Sequence, residues 1–173
     1  MTFTVTRYAF TPPRWPAGFR LRAAVLTDIH ACRPWMTASR IEKLVEQANA
    51  LEPDVVLLVG DYVNAVKLLG LPVPHRDYAL ALAGLHAPLG VHAVLGNHDW
   101  SDDRKAVARG GGPTEAGEAL EAAGIPVYHN RSVRLEHAGG GFWLAGLGCQ
   151  RAFRVPRRER RPSRHFRGLD DLD

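Results

Sequence analysis

Three short polar segments each follow an apolar run in the sequence, and their side chains are of types that bind cations. The segments are Asp28-Ile29-His30, Gly60-Asp61 and Gly96-Asn97-His98-Asp99. Carboxylates, imidazoles and an amide oxygen form a mixed oxygen and nitrogen donor set, which suits divalent ions such as manganese, iron or zinc better than soft ions. The residue types therefore predict a metal site, provided that the fold brings the three segments together.

Each of these segments follows a predicted β-strand, and predicted helices separate the strands. The strands are expected at 21–27, 54–60 and 91–95, and the continuously apolar second strand predicts burial on both faces. Apolar residues recur at helical spacing over 41–51, and a second helix is expected to end before Pro88. This alternation is typical of an α/β fold whose parallel strands share one carboxyl edge. The three segments are therefore expected to converge there.

Local signals predict how the first segment and the first helix are built. In an extended backbone, Asp28 and His30 would point to the same side of the chain. Two N-caps are open for the first helix, because Ser39 followed by Glu42 fits a capping box and Thr37 competes with it.

The second half of the chain has weaker but readable signals. Residues 101–113 are predicted to form a long, polar, glycine-rich excursion. A third helix is expected to start at Thr114 and to stop at Gly124. A hairpin that turns around Gly139–Gly141 suggests the beginning of a second sheet.

The positive charge of the chain is concentrated in one segment. The formal net charge is +4, yet residues 151–167 hold eight of the 22 lysines and arginines and one of the 18 acidic residues. The remainder is mildly acidic, so we expect no nucleic-acid partner. Residues 151–173 are predicted to form a basic, irregular segment, and the alternative is an arm that makes peripheral contact with an anionic membrane.

The cysteines and the apolar runs exclude several protein classes. Cys32 and Cys149 lack CxxC spacing, and they predict neither a zinc finger nor a disulfide framework. No apolar run reaches the length of a membrane span. The first ten residues lack the pattern of a secretory signal, and a cytoplasmic location is expected.

Taken together, the three segments resemble the first three motifs of the calcineurin-like metallophosphoesterases. The stretch from Phe19 to about Asp99 is also similar to a branch of bacterial membrane-associated phosphohydrolases that contains YkuE and YaeI. The resemblance implies an αββα sandwich, a phosphoester substrate, and two divalent metal ions (manganese, iron or zinc) as cofactors. A single domain of this kind is expected over residues 1–173.

The resemblance also implies a role for each polar side chain. Asp28 and His30 would bind the first metal ion, Asp61 would bridge both ions, and Asn97 would bind the second. A bridging carboxylate can hold two cations that together neutralise the charge developing on phosphoryl oxygens.

Two further roles implied by the resemblance are catalytic. His98 would face the substrate and stabilise or protonate the leaving oxygen, which is a common task of histidine. Asp99 would orient the His98 ring.

The sequence departs from the family pattern after Trp143. That pattern continues with a further histidine and a Gly-His-x-His motif, whereas here only His165 follows. We therefore expect an N-terminal portion of a metallophosphoesterase with an incomplete second sheet, a weak second metal site and impaired activity. The alternative is a non-catalytic module that binds a metal ion or an anionic lipid.

Overall fold

A parallel β-sheet with helices packed against it forms the centre of the computed structural model, which describes residues 3–63, 70–137, 140–150 and 152. In chain order the elements are β1 (Ala23–Leu26), β2 (Cys32–Arg33), α1 (Ala38–Asn49), β3 (Val55–Val59), β4 (Leu71–Pro72), α2 (His75–Leu82), β5 (Val91–Val94), α3 (Asn97–Ser101), α4 (Arg104–Arg109), α5 (Glu115–Ala122), β6 (Arg131–His137) and β7 (Gly140–Gly146). The parallel sheet has the order β1-β3-β5. The predicted α/β class is confirmed.

The three strands of the parallel sheet end side by side. In the β1–β3 pairing Leu26 lies opposite Leu58, and in the β3–β5 pairing Val59 lies opposite Val94. Since both pairings are parallel, the carboxyl ends of all three strands lie at one edge of the sheet. The three polar segments leave the sheet from this common edge, as the sequence predicts.

Helices bury one face of this sheet. Ala24 and Val56 on that face belong to the same buried cluster as Ile41 of α1, Leu82 of α2 and Leu120 of α5. These three helix residues are completely buried, and removing each side chain from water contributes roughly 1.5–3 kcal/mol. The helix layer therefore stabilises the sheet from which the three polar segments emerge.

The opposite face of the sheet is partly covered by a second, two-stranded antiparallel sheet of β6 and β7. Gly146 of β7 packs against Val94, whereas Val25 and Val59 remain 59% and 46% exposed. The prediction that β3 is buried on both faces is therefore wrong at Val59. Helices on one face and a small second sheet on the other agree with the expected αββα arrangement, which is incomplete within the described residues.

The second sheet is the hairpin that the sequence predicts. Its register runs from Arg131 opposite Gly146 to His137 opposite Gly140. The predicted turn around Gly139–Gly141 falls partly outside the described part of the chain, because residues 138–139 do not belong to it.

The first helix begins two residues earlier than the capping box of Ser39 and Glu42 predicts. Thr37 is the N-cap, and its Oγ1 accepts the backbone N–H of Arg40 at 3.3 Å. Ser39 already lies inside α1. The capping box of Ser39 and Glu42 is therefore wrong, and the competing Thr37 cap is correct.

The polar excursion predicted at 101–113 is partly helical. The carboxylate of Asp103 caps α4 by accepting the backbone N–H groups of Lys105 and Ala106, both at 2.9 Å. Gly110 ends this helix with a left-handed φ of 70°. The composition of the segment gives no clear signal for this helix. The residues that cap its two ends are polar or glycine, and such residues are also typical of loops.

Three further expectations can be compared with the fold. Thr114 caps α5 as predicted. Cys32 and Cys149 are both free, in agreement with the absence of a disulfide framework. Among the described helices, none is long and apolar enough to cross a membrane. The predicted basic segment 151–173 lies outside the described residues, apart from Ala152.

Candidate metal centre

Asp28, His30 and Asp61 meet at the carboxyl edge of the parallel sheet. One potential ligand atom from each of the three side chains lies within 4.8 Å of the other two. The Nε2 atom of His30 is 3.5 Å from Oδ1 of Asp28. The Asp28 side chain is 59% exposed and that of His30 is 33% exposed, so the cluster is open to solvent. The predicted convergence of these three residues is present.

The backbone conformation at these three residues is not the one that the sequence predicts. Asp28, His30 and Asp61 all have positive φ angles, of 53°, 45° and 56°. The expectation of an extended segment at Asp28 and His30 is therefore wrong. A left-handed conformation costs a residue other than glycine roughly 1–2 kcal/mol, and such conformations are concentrated at functional sites.

Backbone hydrogen bonds between the loops after β1 and β3 hold these conformations in place. The N–H of Asp28 donates to the carbonyl of Gly60 at 3.1 Å, and the N–H of His30 donates to the carbonyl of Asp61 at 3.0 Å. The N–H of Ala31 continues this ladder to the next carbonyl of the β3 loop at 2.8 Å. The three clustered side chains therefore project from two loops that are joined by backbone hydrogen bonds.

The ring of His30 is oriented by a main-chain acceptor. Its Nδ1 lies 2.9 Å from the carbonyl oxygen of Val63. Because a carbonyl oxygen can only accept, Nδ1 must carry the hydrogen of the neutral ring, and the lone pair is then on Nε2, which faces Asp28. A second partner of this kind is typical of histidines that bind metal ions.

Two glycines allow the loops after β3 and β5 to touch. A Cβ on Gly60 would overlap the backbone nitrogen of Gly96, and a Cβ on Gly96 would overlap Oδ1 of Asp61. The same Oδ1 accepts the backbone N–H of His98 at 2.9 Å. The Asp61 carboxylate is therefore fixed against the third polar segment.

Asp99 is a buried carboxylate, 2% exposed, and both of its oxygens bind backbone amides. Oδ2 accepts from Asp61 at 2.9 Å and from Gly96 at 2.8 Å. Oδ1 accepts from Tyr62 at 2.9 Å and from Val63 at 3.2 Å. Burial raises the pKa of Asp99, and these four hydrogen bonds oppose the rise.

This arrangement differs from the role expected for Asp99. In the part of the chain that the structure describes, its carboxylate binds main-chain amides, and no hydrogen bond joins it to the ring of His98. The ring of His98 instead lies edge to face against that of His30, with 5.6 Å between centroids. His98 thus lies beside the cluster, and its predicted role of facing the substrate stays a prediction.

Asn97 begins α3 and is half-buried. Its two neighbours in the chain both touch Asp61, Gly96 by close approach and His98 by the hydrogen bond from its backbone N–H. The backbone of Asn97 therefore runs beside the Asp61 carboxylate. Its predicted role as a ligand of a second metal ion stays a prediction.

Two residues support the centre in ways that residue type does not reveal. The hydroxyl of Tyr62 lies within hydrogen-bonding distance of the carbonyls of Leu58 and Val94, at 3.1 and 3.0 Å, and shares its one hydrogen between them, which links the ends of β3 and β5. Val63 orients His30 through a main-chain carbonyl. No sequence signal could have identified Val63, because every residue has a backbone carbonyl.

A cavity in the described part of the structure lies apart from this centre. It has a volume of about 360 Å³, and its walls include Leu95, Trp100, Thr114 and Val127 but none of the three clustered residues. The candidate metal centre is an open sheet edge, which small ions and phosphate groups can reach from solvent.

Carboxylates and histidines gathered at the strand ends of an α/β sheet are typical of metal-dependent hydrolases. The family model for calcineurin-like phosphoesterases matches residues 21–158, which is most of the chain. The chain therefore belongs to the calcineurin-like phosphoesterase family. The resemblance to this family is confirmed, whereas the narrower YkuE and YaeI branch stays a prediction.

Relatives in several organisms agree with this assignment. A Caenorhabditis elegans protein named as a metallophosphoesterase is 33% identical over 123 residues, which cover 71% of this chain and 23% of the relative. A UDP-2,3-diacylglucosamine pyrophosphatase of Chlamydia trachomatis is 34% identical over 98 residues, covering 56% of this chain and 28% of the relative. An uncharacterized metallophosphoesterase of Aquifex aeolicus is 31% identical over 97 residues, covering 56% and 34%.

The chain thus spans between about a quarter and a third of the length of these relatives. A relative from Danio rerio is named as a transmembrane protein with a metallophosphoesterase domain, so the cytoplasmic location stays a prediction. No solved structure matches the chain.

Proposed function

We propose that this chain contributes the metal-binding edge of a metal-dependent phosphoesterase. Asp28, His30 and Asp61 would hold one divalent ion, and Asp61 would share a second ion with Asn97. The observation that supports this proposal most directly is the cluster of three ligand atoms within 4.8 Å of one another. Family membership supports the phosphoester substrate.

The chemistry of the donor set fits a divalent ion of borderline hardness. Two carboxylate groups and one imidazole supply oxygen and nitrogen, and no thiolate takes part in the cluster. The carbonyl of Val63 leaves the lone pair of the neutral His30 ring on Nε2, where an ion would need it. An ion bound there would supply a Lewis acid for the phosphoryl group.

The protein's own contribution beside such an ion is positioning and proton transfer. We assign to His98 the donation of a proton to the leaving oxygen. Its ring lies beside that of His30, and its backbone is held by the Asp61 carboxylate. The exposure of Asp28 leaves an open approach for the phosphoester.

The substrate is proposed only as a phosphoester. Because the Chlamydia trachomatis relative is named for a nucleotide-linked lipid pyrophosphate, that compound class belongs in a substrate panel beside simple aryl phosphates. The chain covers only part of that relative, and its contacts to the non-phosphate part of a substrate are outside this proposal.

A matched pair of histidine variants tests the metal site. The His30 side chain is 33% exposed and lies 3.5 Å from Asp28, while that of His75 is 35% exposed and lies 3.6 Å from Glu115. Titration calorimetry with MnCl₂ should show binding to the wild-type chain and to His75→Ala, and loss of binding in His30→Ala. Absence of Mn²⁺ and Zn²⁺ binding by the wild-type chain would refute the proposal.

Hydrolysis is tested separately from binding. The wild-type chain with MnCl₂ should hydrolyse bis(p-nitrophenyl) phosphate slowly but measurably above the metal-only rate, and Asp61→Ala should abolish both hydrolysis and Mn²⁺ binding. Mn²⁺ binding without any hydrolysis would leave the non-catalytic metal-binding module as the better description of the isolated chain.

A further inference from the structure

We infer that Asp99 is a positioning residue, whose buried carboxylate sets the geometry of the metal centre by binding the backbone of the loops after β3 and β5. This inference rests on the proposed function, because it assigns the task of Asp99 at that same site. It replaces the expectation that Asp99 acts on the ring of His98.

The first step is the number and type of bonds that Asp99 makes. Its two oxygens accept four backbone N–H groups, at 2.8 to 3.2 Å. Hydrogen bonds to a charged acceptor are shorter and stronger than neutral ones. Because Asp99 is only 2% exposed, solvent water cannot take the place of these four donors. The loops must therefore keep their N–H groups on the carboxylate.

The second step is the identity of the donors, since two of them belong to residues that shape the cluster directly. One donor is the backbone of Asp61, whose φ of 56° places its own carboxylate in the cluster. Another is Val63, whose N–H binds Asp99 while its carbonyl accepts from the ring of His30. Asp99 therefore acts on Asp61 through one peptide group and on His30 through a single intervening residue.

The third step is the link to the loop after β5. The N–H of Gly96 is the fourth donor to Asp99, and Gly96 is in contact with both Gly60 and the carboxylate of Asp61. Neither glycine position has room for a Cβ, so the two loops are packed closely against each other. The Asp99 carboxylate thus joins the second and third polar segments as one body.

A matched pair of aspartate variants tests this role. Asp99→Asn keeps the shape of the side chain but turns one acceptor atom into a donor that faces backbone N–H groups. Asp103 is a suitable control, because it is 8% exposed and its carboxylate also accepts backbone N–H groups, from Lys105, Ala106 and Glu115. Asp103 belongs to the α4 cap and not to the metal cluster.

We expect Asp99→Asn to bind Mn²⁺ at least tenfold more weakly than the wild-type chain in calorimetric titrations with MnCl₂, at a temperature where circular dichroism shows both to be folded. Asp103→Asn should lose thermal stability but bind Mn²⁺ within twofold of wild type. If Asp99→Asn is folded and binds Mn²⁺ within twofold of wild type, the inference is wrong, while the proposed metal site stands. If the wild-type chain itself binds no Mn²⁺, the proposed function fails and this inference with it.

A measurement on the wild-type chain decides the question if Asp99→Asn does not fold. Backbone hydrogen exchange, followed by mass spectrometry with and without MnCl₂, should slow at least tenfold in peptides that contain residues 61–63 and Gly96. Peptides that contain Lys105 and Ala106 should not change. Equal exchange at residues 61–63 with and without bound Mn²⁺ would show that the amides on Asp99 are not coupled to the metal site, and would overturn the inference.

Discussion

The imidazole rings of His30 and His98 meet edge to face, with centroids 5.6 Å apart and ring planes at 71°. His30 lies on the loop after β1 and His98 at the start of the segment after β5, on either side of the central strand β3. The Nδ1 atom of His30 is engaged by the carbonyl of Val63. The ring of His30 is thus oriented by a main-chain partner, and we expect His30 to act in metal binding and the neighbouring His98 ring to act in catalysis.

Replacing the His98 ring should lower turnover and leave metal binding intact. We expect His98→Asn to reduce the hydrolysis rate of bis(p-nitrophenyl) phosphate by about 10²–10⁴-fold, the usual contribution of a general acid. Mn²⁺ affinity should change less than twofold, because His98 holds Asp61 through its backbone N–H, which the variant keeps. Initial rates and MnCl₂ titrations measure the two effects. Equal rates in variant and wild type would remove His98 from the chemistry.

The number of tightly bound ions should be one per chain. Under the proposed assignment, Asp28, His30 and Asp61 would bind a first ion, and Asp61 and Asn97 would bind a second. We expect the second Mn²⁺ to bind roughly 100-fold more weakly than the first, a difference of about 2.7 kcal/mol. Asn97→Asp should strengthen the second event by adding a carboxylate, whereas Asn97→Ala should leave the first unchanged. Two binding events of equal affinity would contradict this assignment.

The convergence of the site could be predicted because it depends on topology. Parallel strands have a common carboxyl edge, so residues that follow β1, β3 and β5 must lie near one another whatever their exact backbone angles. This rule predicts that Asp28, His30 and Asp61 meet, as they do in the structure. Their positive φ angles could not be predicted, because these depend on hydrogen bonds between loops that are more than 30 residues apart in sequence.

The support of the site could not be predicted for a related reason. The Asp99 carboxylate and Nδ1 of His30 bind main-chain groups, which every residue possesses, so the identity of these partners follows only from tertiary contacts. The polar composition of residues 101–113 predicts a loop and gives no signal for the helix α4. Its N-cap residue, Asp103, binds the first turn of α4 and also accepts the backbone N–H of Glu115. This second contact forms only in the folded chain.

The close approach at Gly96 predicts a variant that damages the centre without backbone strain. Gly96 has φ −84° and ψ −178°, which alanine can adopt, but its Cβ would overlap Oδ1 of Asp61. We expect Gly96→Ala to cost about 1–3 kcal/mol of unfolding free energy by overpacking and to abolish Mn²⁺ binding. Urea denaturation and MnCl₂ titration measure the two losses.

The control for this variant is Gly140→Ala on β7. Among the described residues, a Cβ at Gly140 would meet the ring of Phe19, at 3.9 Å, which is an ordinary van der Waals distance. We expect Gly140→Ala to change the unfolding free energy by less than about 0.5 kcal/mol and to leave Mn²⁺ binding unchanged. Normal Mn²⁺ binding by Gly96→Ala would mean that the Asp61 carboxylate can move without loss of the site.

The N-terminus of α1 supplies a test of the fold that is independent of the metal centre. Thr37 accepts the backbone N–H of Arg40, and Thr37→Ala should lower the unfolding free energy by about 1 kcal/mol, the typical value of an N-cap. Ser39→Ala should change it by less than about 0.5 kcal/mol, since Ser39 is an exposed residue inside the helix and alanine is the better helix former. Urea denaturation of both variants gives the comparison. Because the two hydroxyl residues are only two positions apart, the ranking reports on which of them caps the helix, and a larger loss from Ser39→Ala would favour the capping box with Glu42.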